Sequence, residues 1–135
     1  MTFAESDLEL LHRLEEVDVE TRSAAGDVHS TIVWPLVRDG VVYLRSYKGP
    51  SGRWYREAVA EPAIALNLAG RRLAARAIPA TDPLSIEACS AALREKYPRD
   101  YSLEAMLVPE VLPTTLRIEA APAGAPATEP PGGAR

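Results

Sequence analysis

The run Arg45-Ser46-Tyr47-Lys48-Gly49-Pro50-Ser51-Gly52-Arg53-Trp54-Tyr55 gathers glycine, proline, hydroxyl, cationic and aromatic side chains at one junction. An apolar strand signal precedes it and a short helix signal follows. A helix start leaves backbone N–H groups free and presents the positive end of the peptide dipole, so it suits an anion. Lys48 and Arg53 add full charges, and Ser51 adds a hydroxyl near the expected N-cap. Trp54 and Tyr55 can lie against a flat ring. The chemistry this spacing suits is the binding of a phosphorylated aromatic ligand. Taken singly, the same residues also describe a capped helix with solvated charges.

Other reactive side chains are scattered. His29 belongs to the residue type that titrates near neutrality, and it can donate a proton, hold a phosphate, or simply stand exposed before a strand. Tyr43, Tyr97 and Tyr101 can line a pocket or serve as amphipathic core. Cys89 falls on an apolar helix face, the place of a buried thiol. No Ser-His-Asp set, no His-Cys cluster and no paired carboxylates at helical spacing lie near these residues, so hydrolase chemistry has no support. One cysteine excludes an intrachain disulfide and a cysteine-based zinc site, and His12 and His29 lack metal-ligand spacing, so no metal is expected. A net charge of −4 argues against general nucleic-acid binding.

The elements that must position these residues follow from periodicity and punctuation. Residues 4–15 read as an amphipathic helix, capped by Ser6 or Asp7, with Leu8, Leu11 and Leu14 on the buried stripe. Val17 to Thr21 alternates as a half-buried strand. Thr31 to Val37 is an apolar strand with Pro35 inside it, which predicts an edge strand or a bulge. Asp39-Gly40 then predicts a hairpin into Val41 to Ser46. Trp54 to Ala60 forms a short helix that Pro62 stops, and Ala63 to Leu68 and Arg71 to Ile78 form a second hairpin about Ala69-Gly70. Asp82-Pro83 opens a helix that runs towards Tyr97, residues 99–113 are irregular, and Thr114 to Ala120 is a last strand. The expected fold is mainly β with α (α+β), about six antiparallel strands and two or three short helices closing as a barrel. Residues 1–16 supply a helix packed on it, 17–120 the barrel, and 121–135 an Ala/Pro/Gly tail too poor in large apolar residues to order itself.

Two blocks carry a resemblance to the split β-barrel flavin and deazaflavin oxidoreductases, the pyridoxamine-phosphate-oxidase-like group that includes the FMN-binding split barrel. The first is Thr21-Arg22-Ser23-Ala24-Ala25-Gly26-Asp27-Val28-His29-Ser30-Thr31, similar to the threonine, basic, small, glycine, basic, threonine run before that group's second strand. The second runs from Val41-Val42-Tyr43-Leu44 through Ser46, Lys48-Gly49, Trp54-Tyr55 and Glu61-Pro62 to the strand Ala63 to Leu68. In the group it reads as strand, Ser-x-Lys-Gly, Trp-Tyr, short helix, Asn-Pro, strand. Glu61 stands where the asparagine would be, His29 replaces a more usual arginine, and Pro35 falls later than a common proline. The chain most resembles the domain of unknown function 2255 family within that group.

The resemblance implies a cofactor, either flavin mononucleotide (FMN) or an 8-hydroxy-5-deazaflavin coenzyme, held by Thr31, Ser46, Lys48, Ser51, Arg53, Trp54 and Tyr55. Lys48 matches the lysine that contacts phosphate, and Thr31 to Trp34 match a strand that runs under the cofactor ring. Trp34 and Tyr43 would line a substrate pocket, and His29 is the candidate catalytic acid. The implied activity is hydride transfer to a small organic acceptor. The alternative is a non-catalytic module that stores flavin, deazaflavin, haem or another planar ligand. A homodimer is expected, with the Pro35 strand near the contact, because the strands offer more apolar faces than a small barrel encloses. No apolar run is long enough for a membrane helix and no secretion signal is visible, so a cytoplasmic protein is expected.

Overall fold

In the computed structural model, which describes residues 2–121, punctuation residues set the hairpins. Asp39 and Gly40 both take positive φ, 52° and 78°, the backbone shape that a tight hairpin turn demands. They join β3 (Leu36–Arg38) to β4 (Val41–Leu44). A second hairpin pairs β5 (Ala63–Leu68) with β6 (Arg71–Pro79), and a third pairs β1 (Val17–Arg22) with β2 (Val28–Val33). With β7 (Leu116–Ala120) these make one seven-stranded antiparallel sheet in the order β2-β1-β5-β6-β7-β4-β3.

The two edges of that sheet, β2 and β3, are consecutive in the chain and separated only by Trp34-Pro35. A sheet whose edges are joined so briefly has to curl until they meet. The result is a half-barrel split along a seam at Trp34-Pro35. Proline has no ladder donor to lose there. This corrects the single strand expected over 31–37: the strand starts earlier, at Val28, and breaks at the proline, so the sheet has seven strands where about six were expected.

Among the described residues three α-helices accompany the sheet: α1 (Glu5–Arg13), α2 (Arg53–Ala60) and α3 (Pro83–Lys96). The expected cap of α3 is present, with the Asp82 carboxylate accepting from the Ser85 N–H at 3.1 Å and Pro83 opening the first turn. The expected cap of α1 is not. Ala4 stands at its N-cap, and Asp7 is buried in a salt bridge with Arg71 of β6. The stretch expected to be irregular holds two 3-10 turns, Glu104–Met106 and Leu112–Thr114; the second takes in Thr114, so the last strand starts at Leu116 and not at Thr114 as expected.

Alternation along β4 divides the interior in two. Val42 and Leu44 point into the barrel core with Val19, Ile64, Leu66 and Leu116, closed by Leu11 of α1 and Trp54 and Ala58 of α2. Tyr43 points to the other face, into a smaller cluster with Leu36 and with Cys89, Leu93 and Tyr97 of the α3 segment. One strand thus feeds two cores. Each fully buried leucine contributes roughly 1.5–3 kcal/mol through apolar burial. None of the described helices is long and apolar enough to cross a membrane. The tail expected over 121–135 lies outside the described residues apart from Ala121.

Candidate functional site

The Lys48 junction folds around two glycines that cannot be exchanged freely. Gly49 has φ 72° and opens the 3-10 turn Gly49–Ser51. Gly52 is the N-cap of α2, and a Cβ there would come within 2.5 Å of the Ser46 Oγ. That hydroxyl is buried and donates to the Gly49 carbonyl at 2.8 Å, while the Ser46 N–H donates to Thr114 Oγ1 at 3.0 Å. Ser46 therefore shapes the loop from inside. Replacing Gly52 by alanine is expected to push the hydroxyl off its acceptor and cost about 1–3 kcal/mol, measured by urea unfolding.

Because Gly52 offers no side chain, and no described side chain caps the helix, the first-turn N–H groups of α2 are left to solvent or ligand. Around them lies a cavity of about 390 Å³ lined by Thr31, Ile32, Ser46, Tyr47, Lys48, Gly52, Arg53 and Trp54. Lys48 and Arg53 are exposed, and neither has a carboxylate partner among the described residues. The Arg53 guanidinium reaches back across the cavity to Thr31 Oγ1 at 3.5 Å. The arrangement combines two unpaired cations, a hydroxyl and a helix start, which together suit an anion such as a phosphate.

A larger cavity of about 520 Å³ adjoins it and shares Ile32, Tyr47 and Trp54. Buried Val33, Arg45 and Met106 and half-buried Trp34 complete its wall, and Glu16, Asp100, Tyr101 and Ser102 complete its rim. Trp34 is stacked on Tyr97, with ring centroids 4.0 Å apart and planes 13° from parallel. Both tryptophans of the chain face this space, one from the seam and one from α2.

The structure thus brings Thr31, Ser46, Lys48, Arg53 and Trp54 to one cavity and places Trp34 in the next. Four other expected residues stand elsewhere. Ser51 is exposed and does not cap α2; its hydroxyl donates to the Lys48 carbonyl at 3.2 Å. Tyr55 is half-buried against the barrel core, edge-on to Trp54. Tyr43 is only 6% exposed, and burial raises its pKa, as for any phenol withdrawn from water. His29 sits in neither cavity lining. Its Nδ1 lies 2.9 Å from Glu57 Oε2, and Thr21 Oγ1 donates to the other Glu57 oxygen at 2.7 Å, so this trio fastens α2 to β1 and β2. Arg45 and Tyr47 belong to the junction run but carry no assigned role there, and nothing local marks Met106 as a lining residue. Among the described residues no group of histidine, cysteine, aspartate and glutamate could hold a metal ion.

A family model described as "Uncharacterized protein conserved in bacteria (DUF2255)" matches residues 7–118. The chain belongs to that family. A search of curated proteins finds no match. Among solved structures, this chain shares its fold with the conserved hypothetical protein Rv2991 from Mycobacterium tuberculosis, at TM-score 0.70 and 17% identity over 90% of this chain and 83% of that one. The heme storage protein HutZ from Vibrio cholerae matches at TM-score 0.66 and 11% identity, covering 91% and 93% of the two chains. An F420-H2-dependent reductase, FDR-A, matches at TM-score 0.61 and 16% identity, covering 78% and 94%. Two further matches are longer, and this chain spans 56% and 52% of them. At such identities the likeness establishes the fold alone, a split barrel.

Proposed function

We propose that the protein binds a flavin or deazaflavin nucleotide, its phosphate at the start of α2 and its ring in the adjoining cavity, and that it acts as an oxidoreductase on a small organic acceptor. The observation that carries this reading is the convergence of Thr31, Ser46, Lys48, Arg53 and Trp54 on one cavity at an uncapped helix start. The shared residues Ile32, Tyr47 and Trp54 make the two cavities one path of suitable chemistry, cationic at one end and aromatic at the other.

A bound flavin or deazaflavin ring supplies the hydride chemistry itself. The chain's own residues bind and orient. Lys48 and Arg53 neutralise the phosphate, Thr31 offers a hydroxyl to a polar edge, and Trp34 and Trp54 exclude water from the ring face. His29 has no part in this scheme, since Glu57 holds it at the α2 attachment. Neither cavity lining includes a histidine or a cysteine, so haem there would depend on Met106, Tyr47 or Tyr101 for an iron ligand.

Titrating the purified protein with FMN and with the 8-hydroxy-5-deazaflavin coenzyme, followed by the cofactors' visible absorbance, tests the reading. Micromolar binding of either supports it, and absence of binding by both removes it. A reduced cofactor that binds but is never oxidised by any acceptor would leave a storage module.

The exposed large apolar residues Ile32, Tyr47 and Tyr101 all border the larger cavity. Apolar exposure at a site rim fits a homodimer that closes over the ligand. Light scattering at micromolar concentration is expected to return the mass of two chains, and replacing Ile32 by glutamate to return the mass of one.

A further inference from the structure

Arg45 follows β4 and is 2% exposed. Its Nε–H donates to Thr115 Oγ1, one terminal nitrogen donates to Ser90 Oγ and to the Met106 carbonyl, and the other donates to the Ile86 carbonyl, all at 3.0 Å. Every one of these acceptors is neutral. No described carboxylate forms a salt bridge with Arg45, and the nearby Glu87 is exposed and paired with Arg94. A guanidinium has five N–H groups, and the four bonds leave one free on the nitrogen that meets Ile86. Holding a charge away from water with no counter-charge is costly, and removing it would strand several buried acceptors.

The same residue lines the cavity walled by Trp34, Trp54 and Met106. A caged positive charge beside a space walled by aromatic rings complements a flat ring that bears an anionic group. The cavity's own carboxylates, Glu16 and Asp100, are both exposed residues, and Asp100 Oδ1 accepts from the Ser102 N–H at 2.8 Å. Solvent screens these rim charges, whereas a contact to a buried guanidinium is screened much less.

We propose that this cavity selects a planar aromatic carboxylate and that Arg45 supplies the charge that distinguishes the acid from its neutral analogue. The inference rests on the proposed function for the place of the flat ring, and it names the acceptor class that function left open.

Benzoate and benzamide are the probes, equal in shape and different in charge. Both tryptophans face the cavity, so quenching of intrinsic fluorescence reports on it directly. Benzoate is expected to bind the wild-type protein at least about tenfold more tightly than benzamide at neutral pH. Arg45→Gln should bring that ratio close to one. In the wild type the ratio should persist from about 0.05 to 0.5 M salt, because the contact is buried. This salt series needs no variant, so it decides the matter even if Arg45→Gln fails to fold. A wild-type ratio near one, a ratio that collapses with salt as exposed Lys48 or Arg53 would make it, a ratio retained in folded Arg45→Gln, or no saturable quenching by either probe would each overturn the proposal. An intact ratio in a protein that binds neither FMN nor deazaflavin would remove the cofactor reading and leave Arg45 as the selector of an aromatic carboxylate ligand.

Discussion

Replacing both Lys48 and Arg53 by alanine is expected to weaken binding of FMN or the deazaflavin coenzyme by about a hundredfold or more and to leave the fold intact. Each cation lines the cavity at the start of α2 and has no carboxylate partner among the described residues, so neither holds an element in place through an ion pair. A charge-assisted contact to phosphate is worth roughly 1.5–3 kcal/mol, or about tenfold or more in affinity for each cation. Lys48→Ala alone should cost at least about tenfold. The free N–H groups of α2 remain in the double variant, so weak binding should persist. Because both side chains are exposed, wild-type affinity should also fall with salt, and the double variant's much less. Unchanged affinity in a variant with wild-type circular dichroism would move the phosphate elsewhere.

Much of this site could be read along the chain because its determinants are local. The Asp39-Gly40 hairpin, the Asp82-Pro83 cap and the Gly49 and Gly52 spacing are each decided by neighbours within a few positions, where backbone sterics leave little choice. The break at Pro35 was half legible. Proline announced an interrupted ladder, but only the sheet order shows that the interruption is where the barrel's two edges meet. Ser51 misled because serine commonly caps helices, while here a 3-10 turn ahead of α2 shifts the cap by one residue to glycine. Arg45 and Lys96 were illegible for a different reason. Their partners lie far along the sequence, at Ile86, Ser90, Met106 and Thr115 for the first and at Leu11 and Pro35 for the second. No periodicity encodes which loop a long cation will meet.

Those Lys96 contacts lead to the second large effect expected, on stability and its pH dependence. The Lys96 ammonium donates to the Pro35 carbonyl at 2.7 Å and to the Leu11 carbonyl at 3.0 Å. Beside it, Tyr97 stacks on Trp34 and donates its hydroxyl to the Glu15 carbonyl at 2.8 Å. The end of α3 therefore staples the seam of the barrel to the segment leaving α1, and one wall of the larger cavity stands on that staple. Lys96→Met should cost about 1–3 kcal/mol by leaving two carbonyls without their donor. Burial also lowers the Lys96 pKa from 10.5 to about 8. A lysine whose folded pKa lies below its unfolded value binds its proton more weakly in the native state, so stability rises with pH once the folded pKa is passed. Three other buried groups act in the opposite sense: the Cys89 thiol, pushed up from 9.0 to about 11, and the Tyr43 and Tyr97 phenols, raised from 10.0. All three hold their protons longer when folded, so the thiol subtracts stability above pH 9 and the phenols above pH 10. The window that belongs to Lys96 is thus pH 8 to 9, and comparison with Lys96→Met removes whatever the other groups contribute. Urea unfolding across that window should show wild-type stability climbing relative to the variant. The neutral amine keeps two hydrogens for the same two carbonyls, so the staple holds while the charge is lost. A difference that stays flat or shrinks with rising pH would mean that Lys96 is solvated and that its charge plays no part in holding the seam.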